Sequence, residues 1–306
     1  MFKPQGVYPA MLGSYNEDAG INKEATKKMV DFYIDRGVSG LFPLSSVGGF
    51  AHLSLEQRKE MIDIVIEQNN GRVPVVPGAG STYPGPVIEL AKYASKAGCS
   101  GIVVCGPYYY KNTDPMTIEY FTKIADESPI PVILYNIPTM STPVTPQIVG
   151  ELMEHENVVG IKDSSGSIGG MTDMIYLKDQ KKAEFQAMTG IDKVLYPMLA
   201  SGAVGCKTAG TAVVPEVTVA MYDEFMKGNH ENAKRIQYAY IPLMNLLSQP
   251  PFPYAYNAAL NLRGIDMGTP IQPLGASERK KLSDMEPALE KTMEDLLEEV
   301  KTLTTI

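Results

Sequence analysis

The fold is decided by residues 131–162, which read PVILYNIPTMSTPVTPQIVGELMEHENVVGIK. Two short apolar runs, residues 131–135 and 158–162, have the length and the branched composition of buried strands. Between them, residues 145–153 space their apolar side chains as an amphipathic helix does. A strand, a helix and a second strand in this order predict one unit of a parallel α/β sheet.

The same alternation repeats about eight times before residue 230, which predicts an α/β fold of the (β/α)8 TIM barrel type. A doubly wound sheet gives the same alternation, but eight units within about 210 residues favour a closed barrel. The strands are expected at residues 6–10, 40–44, 74–77, 101–105, 131–135, 158–162, 185–189 and 205–208. The clearest helices are expected at residues 22–36, 55–69, 85–97, 116–126, 145–153 and 215–227.

Further helical segments follow the eighth unit and are expected to pack on the barrel. The chain therefore divides into a barrel at residues 1–228 and C-terminal helices at residues 229–306. The helical pattern of the second part falls at residues 231–247, 253–263 and 277–303.

One helix start in the barrel is marked by a capping box, formed by Ser54 and Gln57. In this motif each of the two side chains bonds to the backbone N–H of the other residue. An apolar helical pattern follows, so the helix is expected to begin at residue 55.

The composition limits the class of protein. The chain of 306 residues is 44% hydrophobic and 20% charged, which is enough for one large core. Its net charge of -8 and pI near 5.1 argue against a nucleic-acid partner. No apolar run has the length of a membrane span, and residues 1–6 lack the apolar core of a signal peptide. Three cysteines without metal-type spacing are typical of reduced thiols, so we expect a cytoplasmic protein.

Lys162 ends one of the apolar strands and is followed at once by a hydroxyl-rich loop, residues 163–170. Burial disfavours an ammonium ion, so an amine at this place is expected in its neutral, nucleophilic form. A neutral lysine condenses with ketones, and the protonated imine is an electron sink for cleaving or forming a C–C bond. The competing interpretation is a strand-end lysine held in an ion pair by a carboxylate such as Asp163.

In a closed barrel, the loops after the carboxyl ends of the strands form the active face. Tyr135 and Lys162 end adjacent strands, so the phenol is expected within reach of the lysine amine or of a bound substrate. A tyrosine there can shuttle protons in imine chemistry; its structural alternative is packing against a neighbouring helix. The other strand ends bring hydroxyls, aromatic rings and charges to the same face, at residues 45–49, 78–82, 106–110, 190–193 and 207–208.

This combination of segments resembles the family of dihydrodipicolinate synthase and N-acetylneuraminate lyase, Schiff-base aldolases that use or release pyruvate. The resemblance covers residues 6–262. It implies a (β/α)8 barrel with C-terminal helices, a homotetramer of paired dimers or a homodimer, and no metal or organic cofactor. The motifs that carry it are Leu53-Ser54 with Gln57-Arg58 after a Gly-rich loop, Pro107-Tyr108-Tyr109, Tyr135-Asn136-Ile137-Pro138, Gly160-Ile161-Lys162-Asp163 and residues 205–215.

By matching positions, the resemblance implies that Lys162 forms the imine and that Tyr135 is the acid/base. Ser46 and the loop amides near Val47 would hold the pyruvate carboxylate. Tyr109 would complete a hydroxyl relay across a subunit interface. The matched positions therefore define a pyruvate site at the end of the barrel.

The sequence departs from the family pattern at two places beside this site. Val47 stands where the family has a second relay hydroxyl, so either Ser45 or a water would substitute, or the relay would be shortened to Ser46 and Tyr135. Residues 139–142 contain no arginine, whereas dihydrodipicolinate synthases carry one there to bind the carboxylate of the aldehyde. This second departure argues against lysine biosynthesis.

Two lysines also depart from the pattern. Gly190 and Asp192 match the segment with which sialate lyases bind sugar hydroxyls, but the next residue is Lys193 instead of an acid. Lys193 therefore suggests an acid or phosphate at the far end of the substrate. Lys207 occupies a normally apolar position: pointing inward, it would bind an acidic substrate or favour a neutral Lys162 by repulsion. An outward, helix-facing orientation of Lys207 is equally open.

The leading hypothesis is a class I aldolase that reversibly cleaves a 2-keto-3-deoxy sugar acid into pyruvate and an aldehyde, as in the 2-keto-3-deoxygluconate aldolase branch. N-acetylneuraminate lyase is the first alternative, followed by dihydrodipicolinate synthase or a dehydratase with the same imine chemistry. A barrel that binds a keto acid without turnover is the alternative from another class. The relay hydroxyl lost at Val47 favours the binder, whereas the retained Lys162 and Tyr135 favour an enzyme.

Overall fold

The computed structural model describes residues 2–249 and 252–304. Its sheet is parallel throughout, and the strand order is β1-β6-β5-β4-β3-β2. Crossover helices therefore lie between consecutive strands, as parallel pairing requires. The strands are β1 (Gly6–Pro9), β2 (Ile102–Cys105), β3 (Val132–Asn136), β4 (Val158–Asp163), β5 (Gln186–Thr189) and β6 (Gly205–Thr208).

Two further segments close the sheet between β1 and β2. They are attached by single parallel bridges instead of continuous ladders, because Pro43, Pro74 and Pro77 lack the N–H that a ladder needs. The predicted strands at residues 40–44 and 74–77 are thus present as bridge residues. With them the predicted (β/α)8 barrel is confirmed. The bridges join Ala10 to Phe42, Leu41 to Val75 and Gly78 to Val103.

The predicted helices of the barrel are confirmed, with ends that differ by at most two residues from the expected ones. The helix from Ile168 to Lys181 was not predicted, because it buries only Met171 and Met174 and opens with two glycines. The barrel helices are α1 (Lys23–Ile34), α2 (Leu55–Asn69), α3 (Pro84–Ala97), α4 (Asp114–Glu127), α5 (Pro146–Leu152), α6 (Ile168–Lys181), α7 (Leu195–Ala200), α8 (Ala209–Val213) and α9 (Pro215–Met226).

The C-terminal helices are α10 (His230–Leu247), α11 (Tyr254–Leu262) and α12 (Ala276–Thr304). Leu243 of α10 and Leu296 of α12 share one apolar cluster with Val217 of α9, so these helices pack on the barrel as expected. The division of the chain at residue 228 stays a prediction. None of the helices in the described ranges is long and apolar enough to cross a bilayer.

Side chains on β1 and β6 alternate between the barrel interior and the surrounding helices. Val7 and Cys206 are paired across the two strands and pack in the outer cluster, together with residues of α9 and α10. Tyr8 and Lys207, the next pair, contact each other and therefore point to the opposite side. Lys207 thus has the inward of the two orientations that its sequence left open.

We expect Ser54→Ala to lower the free energy of unfolding by about 1 kcal/mol, because both capping-box hydrogen bonds are present at the start of α2. Chemical denaturation followed by circular dichroism measures the change. Thr113→Ala is the matched control, since Thr113 is an N-cap whose side chain makes no cap hydrogen bond. Equal losses in the two variants would contradict a contribution from the capping box.

Candidate active site

Lys162 and Tyr135 meet at the carboxyl ends of two neighbouring strands. The register of β3 and β4 pairs them directly, so both side chains leave the sheet on the same side. The Lys162 Nζ lies 4.2 Å from the centroid of the Tyr135 ring and 4.8 Å from that of Phe42. Only 3% of Lys162 is exposed. An amine and a phenol therefore lie together in a buried position at the mouth of the barrel.

Asp163 does not pair with Lys162, although it is the next residue. One Asp163 carboxylate oxygen accepts a hydrogen bond of 2.6 Å from Asn136 Nδ2, and the other accepts one of 2.7 Å from Ser165. The Asn136 Oδ1 in turn accepts from the Val144 N–H at 3.0 Å. Within the described residues no carboxylate lies in ion-pair contact with Lys162, so the ion-pair interpretation of this lysine is wrong.

The loop after the second strand brings a hydroxyl to Tyr135. The Ser46 Oγ lies 3.4 Å from the Tyr135 hydroxyl, and either oxygen can donate. The backbone N–H groups of Ser46 and Val47 donate no hydrogen bond to any described residue. Two free amides beside a hydroxyl are suited to a carboxylate. Val47 faces the same space with an apolar side chain that cannot pass a proton.

Ser45 has a structural role in the same loop. Its hydroxyl donates to the Met11 carbonyl oxygen at 2.8 Å and accepts from the Gly48 N–H at 3.1 Å. The side chain is 1% exposed and does not line the space beside Lys162. Ser45 therefore fixes the loop that presents Ser46, and its hydroxyl is already fully engaged.

Lys162, Tyr135, Ser46 and Val47 line a cavity of about 240 Å³, which we call the catalytic chamber. Gly190 makes room in it for the lysine: a Cβ at this position would lie 2.7 Å from the Lys162 Cε and 2.0 Å from the Ser164 Oγ. Any larger residue would displace the amine. The lining includes the predicted residues Ser46, Val47, Tyr135, Lys162, Gly190, Asp192 and Lys193.

Asp192 lines the catalytic chamber, but its carboxylate is hydrogen-bonded to other residues of the protein. It accepts hydrogen bonds from the Gly210 N–H at 3.1 Å and from the Tyr240 hydroxyl at 3.0 Å, and its carbonyl oxygen accepts from Gln237. Burial raises the pKa of Asp192, and a hydrogen bond from Thr208 opposes the rise. Asp192 therefore fastens the loop after β5 to α10.

Lys193 is exposed at the rim of the chamber. Its Nζ donates a hydrogen bond of 2.7 Å to the Asn245 Oδ1 on α10. A neutral amide leaves the lysine charge uncompensated, so this rim remains suited to an anionic group.

Lys207 lies below the chamber, fully buried, and does not line it. Its Nζ is 3.3 Å from the centroid of the Tyr8 ring and has no hydrogen-bond partner among the described residues. Burial, and next the charge of Lys162, hold the pKa of Lys207 well below its usual value; Cys206 opposes the shift. The structure therefore does not bring Lys207 into the chamber with the other predicted site residues.

Tyr109 lies outside the chamber. It is 87% exposed, has a left-handed backbone with φ of 75°, and packs its ring against Tyr110. A relay through Tyr109 therefore requires a second copy of the chain.

Several lining residues were not found from the sequence. Met244 and Tyr256 come from α10 and α11 and close the mouth of the chamber, together with Phe252. No local signal in the sequence marks them, since their position depends on how the C-terminal helices pack. No group of three or more His, Cys, Asp or Glu side chains within residues 2–249 and 252–304 is placed to bind a metal ion.

A parallel barrel with a lysine amine facing a chamber at its strand ends, beside a phenol, defines an imine-forming lyase of carbon–carbon bonds. The comparisons with known proteins agree with this class. The chain belongs to the dihydrodipicolinate synthetase family, whose sequence profile matches residues 3–292. It is therefore a class I, pyruvate-dependent lyase of that family.

The relatives cover almost the whole chain. The 4-hydroxy-tetrahydrodipicolinate synthase of Methanothrix thermoacetophila is 32% identical over 285 residues, which are 92% of this chain and 95% of the relative. The enzyme of the same name from Methanopyrus kandleri is 32% identical over 276 residues, 89% of this chain and 91% of the relative. Among solved structures, an E. coli prophage protein of the dihydrodipicolinic acid synthase family, in complex with pyruvate, is 30% identical with a TM-score of 0.87, covering 95% of this chain and 98% of that one.

We expect Lys207→Met to raise the melting temperature at pH 7. Burial holds the pKa of the folded Lys207 amine well below the value of 10.5 that it has in the unfolded chain, so the unfolded chain binds a proton more tightly and burial of this amine destabilises the fold at neutral pH. The stability difference between the variant and the wild type should shrink as the pH rises toward 10.5. Scanning calorimetry between pH 7 and 10 measures it.

The exposed Lys96→Met is the control for Lys207→Met and should leave the pH dependence of the melting temperature unchanged. A Lys207→Met protein that melts below the wild type at pH 7 would mean that the buried amine stabilises the barrel.

Proposed function

We propose that the chain catalyses a reversible aldol reaction between pyruvate, bound as an imine on Lys162, and an aldehyde. The observation that carries the proposal is the Lys162 amine. It faces the catalytic chamber, lies 4.2 Å from the Tyr135 ring centroid, and forms no ion pair with any described residue. An amine that is neither paired nor hydrogen-bonded is free to attack a ketone.

The chemistry needs few groups. The Lys162 amine attacks C2 of pyruvate and water leaves, which gives a protonated imine. The relay of Tyr135 and Ser46 takes up a proton from C3, which gives an enamine. C3 of the enamine then bonds to the aldehyde carbon, and Tyr135 returns the proton to the aldehyde oxygen. Water then hydrolyses the imine and frees the amine. In the cleavage direction Tyr135 removes the proton of the C4 hydroxyl instead.

Ser46 and the free amides of Ser46 and Val47 bind the pyruvate carboxylate in this proposal, since these donors lie beside Tyr135 and have no other partner among the described residues. The proton relay runs through the Ser46 and Tyr135 hydroxyls, because Val47 has none and Ser45 is engaged elsewhere. Tyr109 of a second copy would extend it.

A homotetramer or homodimer, and a cytoplasmic location, stay predictions.

The names of the relatives favour one aldehyde. Both the Methanothrix and the Methanopyrus relatives are called 4-hydroxy-tetrahydrodipicolinate synthase, so condensation of pyruvate with aspartate semialdehyde becomes the first candidate. It takes precedence over the cleavage of a 2-keto-3-deoxy sugar acid, which the sequence placed first. Lys193, the cation at the rim of the chamber, supports an aldehyde that carries an acid.

Cleavage of a 2-keto-3-deoxy sugar acid remains the second candidate, because of one observation. Residues 139–142, which border the chamber, contain no arginine for the carboxylate of aspartate semialdehyde, and Met140 lines the chamber in that segment. N-acetylneuraminate lyase activity is less well supported, since the Asp192 oxygens already bind Gly210 and Tyr240.

Borohydride reduction in the presence of pyruvate should trap a reduced adduct on Lys162, detected by mass spectrometry. Lys162→Met should abolish it. Tyr135→Phe should still form it but lose about 10²-fold in aldol turnover, because a proton donor is missing. Tyr83→Phe, a change at an exposed tyrosine, is the control. An adduct without turnover of any aldehyde would indicate a keto-acid binder, and no adduct on the wild type would refute the imine.

A substrate panel separates the candidates: condensation with aspartate semialdehyde, and pyruvate release from 2-keto-3-deoxygluconate, its 6-phosphate, 2-keto-3-deoxygalactonate and sialic acid. We expect the highest kcat/KM with aspartate semialdehyde. Lys193→Glu should lower kcat/KM for acidic substrates about tenfold by repulsion, whereas Lys96→Glu, which changes net charge equally at an exposed site of α3, should not. Equal effects of the two variants would remove the assigned role of Lys193.

A further inference from the structure

A second cavity of about 310 Å³ adjoins the catalytic chamber, and we call it the apolar annex. The two cavities share the wall made by Ser46, Val47, Ile137, Met140 and Phe252. Apart from the Ser46 hydroxyl this wall is apolar. The two cavities therefore adjoin, and the residues at the boundary between them carry no charge.

Two aromatic rings, those of Phe50 and Tyr108, form one wall of the annex and are held by contacts with each other and with Arg58. The rings of Phe50 and Tyr108 meet edge to face with 6.1 Å between their centroids. The Arg58 guanidinium lies 5.1 Å from the Phe50 ring centroid, where it donates to the Gly80 carbonyl oxygen and does not line the annex. Ile271 adds an apolar side chain to the lining.

Some polar groups of the annex are engaged by the protein, whereas the buried Asn257 Oδ1, which also lines it, has no hydrogen-bond partner among the described residues. The Tyr15 hydroxyl donates a hydrogen bond of 2.5 Å to the Gly48 carbonyl oxygen, and the Ser141 hydroxyl donates to Ile137. The described lining contains no Lys, Arg, Asp or Glu. The annex is thus suited to an uncharged, mainly apolar group, in contrast to the rim that carries Lys193.

Space in the annex depends on Gly49. Its φ of 70° is left-handed, and a Cβ there would lie 3.3 Å from the His52 Nδ1 and 3.8 Å from the Tyr15 hydroxyl, both of which line the annex. A side chain at this position would project into the cavity. Glycine leaves that volume open beside the aromatic wall.

We propose that the annex binds the ring of an aromatic aldehyde, so that this chain also joins pyruvate to, and releases it from, aryl aldehydes. The inference rests on the proposed imine at Lys162. A flat apolar ring matches the edge-to-face rings of Phe50 and Tyr108, and an offset or edge-on aromatic contact adds to the burial of its surface. The annex has the volume of a small-molecule site.

The reaction balances without any further reactant. In condensation, C3 of the pyruvate enamine bonds to the aldehyde carbon, the aldehyde oxygen takes up the Tyr135 proton, and water hydrolyses the imine to release 4-hydroxy-2-oxo-4-phenylbutanoate from benzaldehyde. In cleavage, the C3–C4 bond breaks, its electron pair goes to the imine, and the C4 hydroxyl proton returns to Tyr135. Benzaldehyde leaves, Tyr135 returns the proton to C3 of the enamine, and water hydrolyses the imine to release pyruvate.

The test compares 4-hydroxy-2-oxo-4-phenylbutanoate with its methyl analogue, 4-hydroxy-2-oxopentanoate, by the rate of pyruvate release. The full-length wild type should cleave both. Ile271→Trp fills the annex and should lower the ratio of kcat/KM, aryl over methyl, about tenfold. Ile271→Leu, the conservative control, should keep the ratio.

An unchanged ratio in Ile271→Trp would overturn the aromatic site. That result is expected if a second copy of the chain, and not substrate, fills the annex. In that case the oligomeric mass of Ile271→Trp would differ from that of the wild type. A wild type that forms the borohydride adduct with pyruvate but does not cleave the aryl substrate would also overturn it. Absence of the adduct would instead refute the proposed function itself.

Discussion

The register between β3 and β4 is the constraint on which the site depends. It sets Tyr135 against Lys162, and a shift by a single residue would turn one of the two side chains toward the outer helices. The neighbouring register of β4 and β5 brings Gly190 against the lysine stem, where only a hydrogen fits. Asn136 holds Asp163 in a separate hydrogen-bond network, which keeps a carboxylate away from the amine. The Lys162 Nζ is therefore available for reaction because the pairing of the strands places no carboxylate beside it.

Much of this was readable in the sequence because it is local. Strand length and the residue that ends each strand predict which side chains reach the active face, and Lys162 and Tyr135 were found in that way, whereas Ser46 was singled out by the family resemblance. The position of Lys207 shows the limit of such reasoning. Alternation left both of its orientations open, and only the contact with Tyr8 on the neighbouring strand fixes it inward. Tyr256 and Met244 were missed, since their approach to the mouth depends on tertiary packing of α10 and α11.

The two sides of the site differ in character. One rim carries Lys193 and the polar loop after β5, whereas the other opens into an annex whose lining has no carboxylate or lysine among the described residues. Val47 and Met140 belong to the boundary between the two cavities, and both are apolar. In the proposals made above, the same imine thus meets a charged partner from one direction and an uncharged one from the other. The choice of aldehyde then depends on the residues that line the two cavities, since the Lys162 amine serves both.

The link between Asp192 and α10 has a consequence for how such a barrel diversifies. The Tyr240 hydroxyl and the Gln237 amide hold the loop after β5 from a helix that lies outside the barrel strands. Substitutions on that helix can tilt the loop, and with it Lys193, while Lys162, Tyr135 and Ser46 stay in place. New aldehyde preferences can therefore arise from mutations remote from the nucleophile, without an intermediate in which pyruvate activation is lost.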